Sequence, residues 1–377
     1  MGVMKILAFI LFTITFLAGA LFPTSYVWGA VDFRDAIYPE LATSARALGM
    51  GNAYVAKADD ASAAFYNPAG LGTVRQAHFH LSNLHLEVNK DWVDLGTGGK
   101  ITDAFSNFSK GFSVDGTRNL LKDHPGKFSH SRFHFMPNFT ARYISFGYLY
   151  STQTRGAYGT QAGAQFEYAK RTDHGPYLGL NLSMFGGVFK IGVTGTYLTR
   201  KESYGQSDPN TAIDLQDGDY QKGSALILTA GTKLTLPFYA LPTFAIKMNN
   251  ASSQSFSAAS GFGGAPDQIK PSVDVGFSLT PQIGKTTRIH WEFNYKDATG
   301  EYDDIGSSRK YALGMELDFR RTIFIRLGYG DGFGSGGIGL KTRKLQFDLT
   351  TYAVDLTDSD FRGDEDRRFV LSLSSGF

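Results

Sequence analysis

The fold of this chain is indicated by a pattern that is clearest in residues 289–296, which read I-H-W-E-F-N-Y-K. Apolar and polar residues alternate there without interruption. Successive side chains of a β-strand point to opposite faces, so such a segment has one apolar face and one polar face. The same alternation recurs in residues 226–236, 273–280 and 311–319. The pattern predicts an all-β fold made of two-faced strands.

Strand length and connection length indicate the kind of sheet. Many alternating segments reach about ten residues, which crosses a bilayer at a tilt of about 45°, whereas strands of soluble proteins cluster near five or six. Short connections alternate with long polar ones, as in outer-membrane barrels. We therefore predict a 14-stranded antiparallel transmembrane β-barrel over residues 76–377. The predicted strands start near residues 76, 131, 144, 163, 188, 223, 243, 271, 287, 308, 322, 336, 345 and 367, and the predicted long loops are 89–130, 156–162, 203–222, 251–270, 298–307, 330–335 and 356–366.

Residues 1–30 are predicted to be an export signal. Lys5 precedes the apolar run 6–17, and small residues follow it, as in a secretory signal peptide. Cleavage is expected after Ala20 or near Gly29. The alternative is a single anchoring helix, for which the run is short. We expect the exported chain in the outer membrane of a Gram-negative bacterium, in contact with its lipid and lipopolysaccharide.

The C-terminal residues 367–377 also alternate, and they end on Phe377. This segment resembles the terminal strand that outer-membrane barrels present to their insertion machinery, so we expect that machinery to contact Phe377. The barrel must close, because unpaired N–H and C=O groups at a bare strand edge are costly in hydrocarbon.

The composition excludes several classes of protein. The chain has 377 residues, no cysteine, and 37 basic against 35 acidic residues. It lacks the repeated apolar spans of a helical membrane protein, and its charge balance gives no reason to expect a nucleic-acid partner. The glycine-rich run 328–337 is not followed by a helical pattern, as a nucleotide-binding loop requires, and it is predicted to be a hairpin loop. We predict no enzyme activity, no cofactor and no metal; a hydrolase with a Ser–His site inside the barrel stays an alternative.

Residues 31–75 do not alternate. They are rich in alanine and glycine, so compact helical turns can fit into a narrow space. Asn67 is placed to cap a turn that opens with Pro68 at its first position. A barrel of fourteen strands would otherwise hold an aqueous channel. We therefore predict that residues 31–75 are an N-terminal, partly helical hatch that plugs the lumen.

Part of this segment resembles a known family. The runs S-A-R-A-L-G-M-G-N-A-Y-V-A at residues 44–56 and A-D-D-A-S-A-A-F-Y-N-P-A-G-L at residues 58–71 look like the N-terminal hatch of the FadL family. Members of that family are outer-membrane transporters for long-chain fatty acids and other hydrophobic compounds. Similar hatches occur in related 14-stranded barrels that are shuttle components in protein secretion. The N-P-A motif of the hatch matches Asn67, Pro68 and Ala69, which Gly70 follows.

The resemblance implies a passive transporter. A hydrophobic solute would be captured among the extracellular loops, pass to a pocket in the lumen, and leave sideways into the bilayer when the hatch moves or a strand kinks. The first long loop suits capture, because its apolar residues are spaced as in one or two short amphipathic helices. The alternative is that they only pack the loop against the barrel lip. The candidate groove residues are Trp92, Phe105, Phe108 and Phe112.

Charged residues on the polar strand faces are expected to line the lumen. The candidates to hold the carboxylate of a fatty acid are Lys190, Lys233, Lys247 and Arg326. The alternative is that opposite charges pair across the barrel and fix the hatch. His78 and His80 share one strand face, which is one way to chelate a metal, but a wet lumen accommodates histidine without any ligand.

The predicted function is therefore passive diffusion of long-chain fatty acids or other hydrophobic small molecules across the outer membrane. Two alternatives stay open at this point. One is a barrel that does not transport and instead acts as a scaffold or shuttle for secreted or surface proteins. The other is a general polar pore, which would conduct steadily in a planar bilayer.

Overall fold

A computed structural model describes residues 31–33, 37–75, 77–97, 110–259 and 263–376. The predicted export signal, Phe105, Phe108 and Phe377 lie outside these described residues. Within the described ranges, no helix is long and apolar enough to cross a bilayer.

Fourteen strands form one antiparallel sheet in which each strand pairs with a neighbour on both sides. The second strand is interrupted at Met136 and Pro137, yet both of its pieces pair with the same two neighbours. Two-residue strands at Ser257–Ala258 and Gln282–Ile283 extend the sheet at its rims. The barrel strands are β1 (His78–Asn89), β2 (Lys127–Phe135, continued by Asn138–Ala141), β3 (Ile144–Tyr158), β4 (Phe166–Met184), β5 (Phe189–Ser207), β6 (Gln221–Thr235), β7 (Thr243–Asn249), β8 (Ser272–Leu279), β9 (Thr287–Tyr295), β10 (Tyr311–Phe319), β11 (Ile323–Gly330), β12 (Phe333–Lys341), β13 (Leu345–Asp355) and β14 (Glu365–Gly376).

The sheet closes on itself. The last strand, β14, pairs with β1, so that Leu84 lies opposite Leu373 and Asn89 lies opposite Arg368. A closed ring leaves no unpaired strand edge, which is the condition for strands in hydrocarbon. The predicted 14-stranded antiparallel barrel is confirmed, and each observed strand starts within a few residues of its predicted start.

The strands separate an apolar outer surface from a polar interior. In β5, Ile191 and Val193 are 41% and 43% exposed, whereas Lys190 and Thr194 are buried. An apolar outer band of this kind contacts lipid in outer-membrane barrels, and the architecture points to the outer membrane of a Gram-negative bacterium. Further exposed residues of the band are Phe146, Leu178, Leu180, Leu182, Leu226, Ile246, Leu313, Ile325, Ile338 and Leu349.

Short turns lie at one end of the barrel and most long loops at the other, as predicted, with one correction. The predicted long loop at 330–335 is wrong, because Asp331 and Gly332 form a two-residue turn between β11 and β12. Both residues have positive φ, 50° and 84°, as in the tight hairpin turn that Asp-Gly favours. Most of the glycine-rich run 328–337 is therefore strand.

Residues 37–74, here called the N-terminal segment, contain only short helical turns. These are α1 (Ala45–Leu48), α2 (Ala63–Tyr66) and the 3₁₀-helix Pro68–Thr73. The predicted cap is confirmed: the Asn67 side chain accepts a hydrogen bond from the Ala69 N–H, and Pro68 occupies the first position of the turn. Most of the segment is buried, and its larger apolar side chains, such as Leu48, Met50, Tyr54, Tyr66 and Leu71, are fully buried.

The described part of the first long loop, residues 90–97 and 110–126, contains two amphipathic helices, in line with the prediction of one or two. They are α3 (Lys90–Thr97) and α4 (Val114–Leu121), and the 3₁₀-helix Lys110–Phe112 precedes α4. Ser113 caps α4 by accepting a hydrogen bond from the Gly116 N–H at 3.0 Å. Two more 3₁₀-turns, Phe185–Gly187 and Asp217–Asp219, lie in later connections.

Candidate functional site

The N-terminal segment contacts the inner face of the barrel through backbone as well as side chains. A Cβ atom at Gly192 in β5 would lie 2.2 Å from the backbone carbon of Pro68, and one at Gly328 in β11 would lie 2.1 Å from the Gly51 nitrogen. No ordinary side chain fits at such distances. Glycine on the inner faces of β5 and β11 therefore allows the segment to lie directly against the wall.

Asn67 connects the segment to two strands. Its Nδ2 donates to the Val55 carbonyl at 2.9 Å within the segment and to the Thr232 carbonyl of β6 at 3.3 Å. The Ile246 carbonyl of β7 lies 3.5 Å from the same nitrogen. Gly231 makes this approach possible, because a Cβ there would lie 2.0 Å from Asn67 Oδ1. The Asn67 side chain thus caps the 3₁₀-turn and also fixes the segment to β6 and β7.

Side chains of β9 bind the backbone of the same segment. Asn294 Oδ1 accepts hydrogen bonds from the N–H groups of Tyr54 at 2.8 Å and Val55 at 3.2 Å. Glu292 Oε1 accepts from the Ala56 N–H at 2.6 Å. These three successive N–H groups are buried and do not belong to a helix, so their hydrogen bonds come from side chains of the barrel wall.

Arg46 is the centre of a buried ion network. Its guanidinium donates twice to Glu316 of β10, at 2.7 Å each, and also to Asp59 at 2.7 Å. Glu316 in turn accepts from Arg326 at 2.9 Å, and Arg326 donates to Asp348 at 2.6 Å. Burial works to lower the pKa of Arg46, but Glu316, Tyr54 and Asp59 together outweigh it and hold that pKa well above its usual value.

Glu40 is the centre of a second network. Its carboxylate accepts from Lys247 of β7 at 3.0 Å, from Lys296 at 3.3 Å and from Asn52 at 3.0 Å. Burial alone would raise the pKa of the Glu40 carboxyl, but the two ammonium groups outweigh it and lower the pKa to about 2. Glu40 therefore stays ionised at neutral pH, although it is only 4% exposed.

Two cavities lie on opposite sides of the N-terminal segment. The upper cavity, about 520 Å³, is at the end that carries the long loops, and the lower cavity, about 650 Å³, is at the end that carries the short turns. The upper cavity is lined by Val31, Asp32, Phe33, Tyr38, Pro39, Glu40, Leu41, Arg132, Gln153, Arg171, Asp173, Arg200, Tyr204, the loop residues 267–270 and the loop residues 302–305. The lower cavity is lined by residues 42–46, 57, 59–62 and 73–75, by Phe324 of β11, and by polar residues of β1, β2, β9, β10 and β12–β14, His78 and His80 among them.

A thin layer separates the two cavities. Leu41 lines the upper one and Ala42 the lower one, although they are neighbours in the chain. Arg132 Nη2 donates to the Leu41 carbonyl at 2.9 Å, and Thr43 Oγ1 lies 3.3 Å from His85 Nε2. Residues 41–43 and the inner face of β1 and β2 thus form the layer at this point.

The structure places the four predicted lumen cations on the inner face, each with a partner. Lys247 contacts Glu40, and Arg326 contacts Glu316 and Asp348, as described above. Lys233 Nζ lies 3.5 Å from the Lys57 carbonyl, and Lys190 Nζ donates to the Gly187 carbonyl. Binding of a fatty-acid carboxylate by these four residues stays a prediction.

Two of the four predicted groove residues can be located. Trp92 is 4% exposed, and its backbone N–H donates to Asn89 Oδ1 at 3.1 Å. The Phe112 ring meets the Phe133 ring of β2 edge to face, with 6.5 Å between their centroids. These contacts pack the loop against the barrel wall. The capture groove itself stays a prediction, since Phe105 and Phe108 lie outside the described residues.

The histidines of β1 and β2 bind protein groups. His130 Nε2 lies 2.7 Å from Glu87 Oε1, His85 Nε2 lies 3.2 Å from Glu87 Oε2, and the His85 and His134 rings stack at 4.3 Å. His80 Nδ1 lies 2.8 Å from the hydroxyl of Ser374. Among the residues that the structure describes, no group of three His, Cys, Asp or Glu is placed to hold a metal ion.

Comparison with known proteins gives matches in structure. A scan of protein-family models finds no match, and neither does a search of curated protein sequences. The toluene transporter TodX of Pseudomonas putida matches with 10% identity over 89% of this chain and 98% of that chain, with a TM-score of 0.49. A FadL homologue of Pseudomonas aeruginosa matches with 11% identity over 89% and 98% of the two chains, with a TM-score of 0.45.

The structural neighbours include FadL-family channels. CdiB from Acinetobacter baumannii also matches, with 10% identity over 81% of this chain and a TM-score of 0.36. This chain spans 60% of the length of CdiB. At identities this low, the similarity concerns the fold alone.

Proposed function

We propose that this chain is a passive outer-membrane channel for small hydrophobic or amphipathic molecules, and that residues 31–75 are a hatch that closes its lumen at rest. The observation that carries the proposal is the position of the N-terminal segment between the two cavities. A solute that entered the upper cavity would meet the layer formed by residues 41–43. Displacement of that layer would join the cavities into one path.

The lining of the upper cavity favours an amphipathic solute. Apolar side chains such as Phe33, Leu41 and Ile269 stand beside charged ones such as Arg132 and Asp304. An apolar body gains about 25 cal/mol for each Å² that it removes from water, and a polar group of the same solute finds partners within the same cavity. Long-chain fatty acids are one member of this class.

The size of the cavities fits small solutes. Ligand sites for small molecules occupy about 300–1,000 Å³, and each of the two cavities, at about 520 and 650 Å³, lies within that range. A passive channel of this kind would bind its solute in steps. It would not need a wide, permanently open pore.

The test is uptake by cells that express the chain and lack a channel of their own for the solute. We expect labelled oleate, or an uncharged hydrocarbon such as toluene, to enter at least several-fold faster than in cells with an empty vector. Uptake of a small sugar serves as the control for a general polar pore. If oleate and toluene enter no faster while the composition of surface proteins changes, the scaffold function is favoured and transport is contradicted.

A further inference from the structure

Seven basic side chains line the lower cavity, and two of them, Arg46 and Lys57, pair with Asp59. The other five are Arg75, Arg288, Arg321, Lys341 and Arg343. Four of them come from consecutive hairpins at the end that carries the short turns. Arg288 is in β9, Arg321 is in the turn between β10 and β11, and Lys341 is the last residue of β12. The backbone N–H of Lys341 donates to the Thr322 carbonyl at 2.8 Å. The fold thus brings together at one mouth cations that are spread over more than two hundred residues of sequence.

These five cations lack counter-ions among the described residues. None of the five side chains forms a hydrogen bond or an ion pair with another described residue, whereas Arg46, Lys247 and Arg326 deeper in the lumen are all paired. The nearby carboxylates already have partners. Asp59 and Asp60 accept from Arg46, Asp348 accepts from Arg326, and Asp318 accepts from the Arg321 backbone N–H at 2.6 Å.

The positive charges act on one another. Burial lowers the pKa of Arg75, and the nearby Arg321 and Arg288 lower it further, which together outweighs the opposite effect of Asp59 and Asp318. Repulsion among like charges that form no ion pair costs free energy, and an anion bound between them would reduce that cost. An anion would therefore supply at this mouth the charge pairing that Arg46, Lys247 and Arg326 already have deeper in the lumen.

A buried group in the same cavity also lacks a partner. His134 of β2 lines the lower cavity and is 2% exposed, and its Nδ1 has no hydrogen-bond partner in the described part of the chain. The side chains of Ser372 and Ser374 line the cavity as well. His134 Nδ1 can donate to an acceptor oxygen in the tautomer that protonates it, so a neutral polar group without a partner lies beside the charged ones.

We propose that the lower cavity binds a phosphate group, which Arg75, Arg288, Arg321, Lys341 and Arg343 would surround. Three of these side chains would suffice, since an arginine carries five N–H donors and matches the oxygens of a phosphate two at a time. The phosphate could come from a free anion in the compartment that the short turns face, or from the headgroup of an anionic phospholipid in the adjacent leaflet. This inference does not depend on the transport function.

The test is titration calorimetry on the folded full barrel in an uncharged detergent at low ionic strength. Inorganic phosphate is the first ligand, and phosphatidylglycerol in the same detergent is the second. We expect saturable binding that weakens at least tenfold in the double variant Arg288→Gln/Arg321→Gln. The matched control, Lys285→Gln/Arg320→Gln, removes the same charge from the same end of the barrel, at residues that do not line the cavity. It should change the affinity less than twofold.

The two titrations distinguish a free phosphate anion from a phospholipid headgroup as the ligand. Binding of phosphate alone identifies a free anion, and binding of phosphatidylglycerol without phosphate identifies a lipid headgroup. The proposal is overturned if neither ligand binds saturably, or if the control variant loses as much affinity as the cavity variant. Heat-dependent migration in gel electrophoresis verifies that every variant is folded, and normal uptake of oleate by the cavity variant would show that this site and transport are separate.

Discussion

Replacing Gly192 with alanine is expected to give a barrel that conducts steadily, whereas the unmodified barrel, closed by the proposed hatch, is expected to be nearly silent. The new Cβ would lie 2.2 Å from the Pro68 carbon and 2.4 Å from the Ala69 nitrogen, and all of its close neighbours are backbone atoms of the N-terminal segment. Backbone cannot rotate out of the way as a side chain can, so the 3₁₀-turn at Pro68–Thr73 must leave the wall. We expect the mean current in a planar bilayer to rise at least tenfold.

The control for this variant lies three residues further along the same strand. A Cβ at Gly195 would lie 3.5 Å from Leu228 Cδ2, which is an ordinary contact, so Gly195→Ala should remain silent. Both variants should migrate as folded barrels. If Gly192→Ala inserts correctly and is as silent as the unmodified chain, contact between the 3₁₀-turn and β5 does not keep the lumen closed.

Replacing Glu40 with glutamine is expected to release the N-terminal segment by a different route. The substitution would leave Lys247 and Lys296 buried with Asp274 as their remaining carboxylate. Removing one partner of a buried ion pair typically costs about 3–5 kcal/mol, which corresponds to a change of about 100-fold or more in the population of the released state. The effect should be large because all three of these charged groups are buried.

The absence of cysteine from the chain makes this release measurable. Met50 is fully buried in the N-terminal segment, and Met50→Cys supplies one thiol. We expect a water-soluble maleimide to label this thiol about 100-fold faster when Glu40→Gln is also present. Glu365→Gln, which removes the exposed carboxylate that pairs with Arg367, is the matched control and should leave the rate unchanged. Equal rates in all three proteins would show that Glu40 does not hold the segment in place.

Much of the barrel could be predicted from the sequence because strand alternation, turns and helix caps depend on residues that are close together in the chain. Alternation in segments such as residues 289–296 depends only on neighbouring residues, and Arg320 and Arg321 mark a short turn by themselves. The turn at Asp331 and Gly332 was predicted as a longer loop, since glycine on both sides hides where the strands end. The Asn67 cap could also be predicted, because its partner, Ala69, is two residues away.

The partners of the lumen charges could not be predicted, because they come from distant parts of the chain. Glu40 and Lys247 are 207 residues apart, and Arg46 and Glu316 are 270 apart. Glu40 belongs to no motif, so sequence reasoning missed it. The available signal was weak: isolated charges in an alanine- and glycine-rich segment require partners of opposite sign wherever that segment is buried.

The measurement that tests the central claim most directly is uptake by a barrel whose N-terminal segment is tied to the wall. A Cβ at Gly49 would lie 3.3 Å from Thr350 Oγ1 of β13, so Gly49→Cys and Thr350→Cys lie within reach of a disulfide in a chain that has no other cysteine. If the segment is the moving barrier, uptake of labelled oleate should stop when this bond forms and return when a reductant breaks it. Unchanged uptake with the bond fully formed would contradict the account.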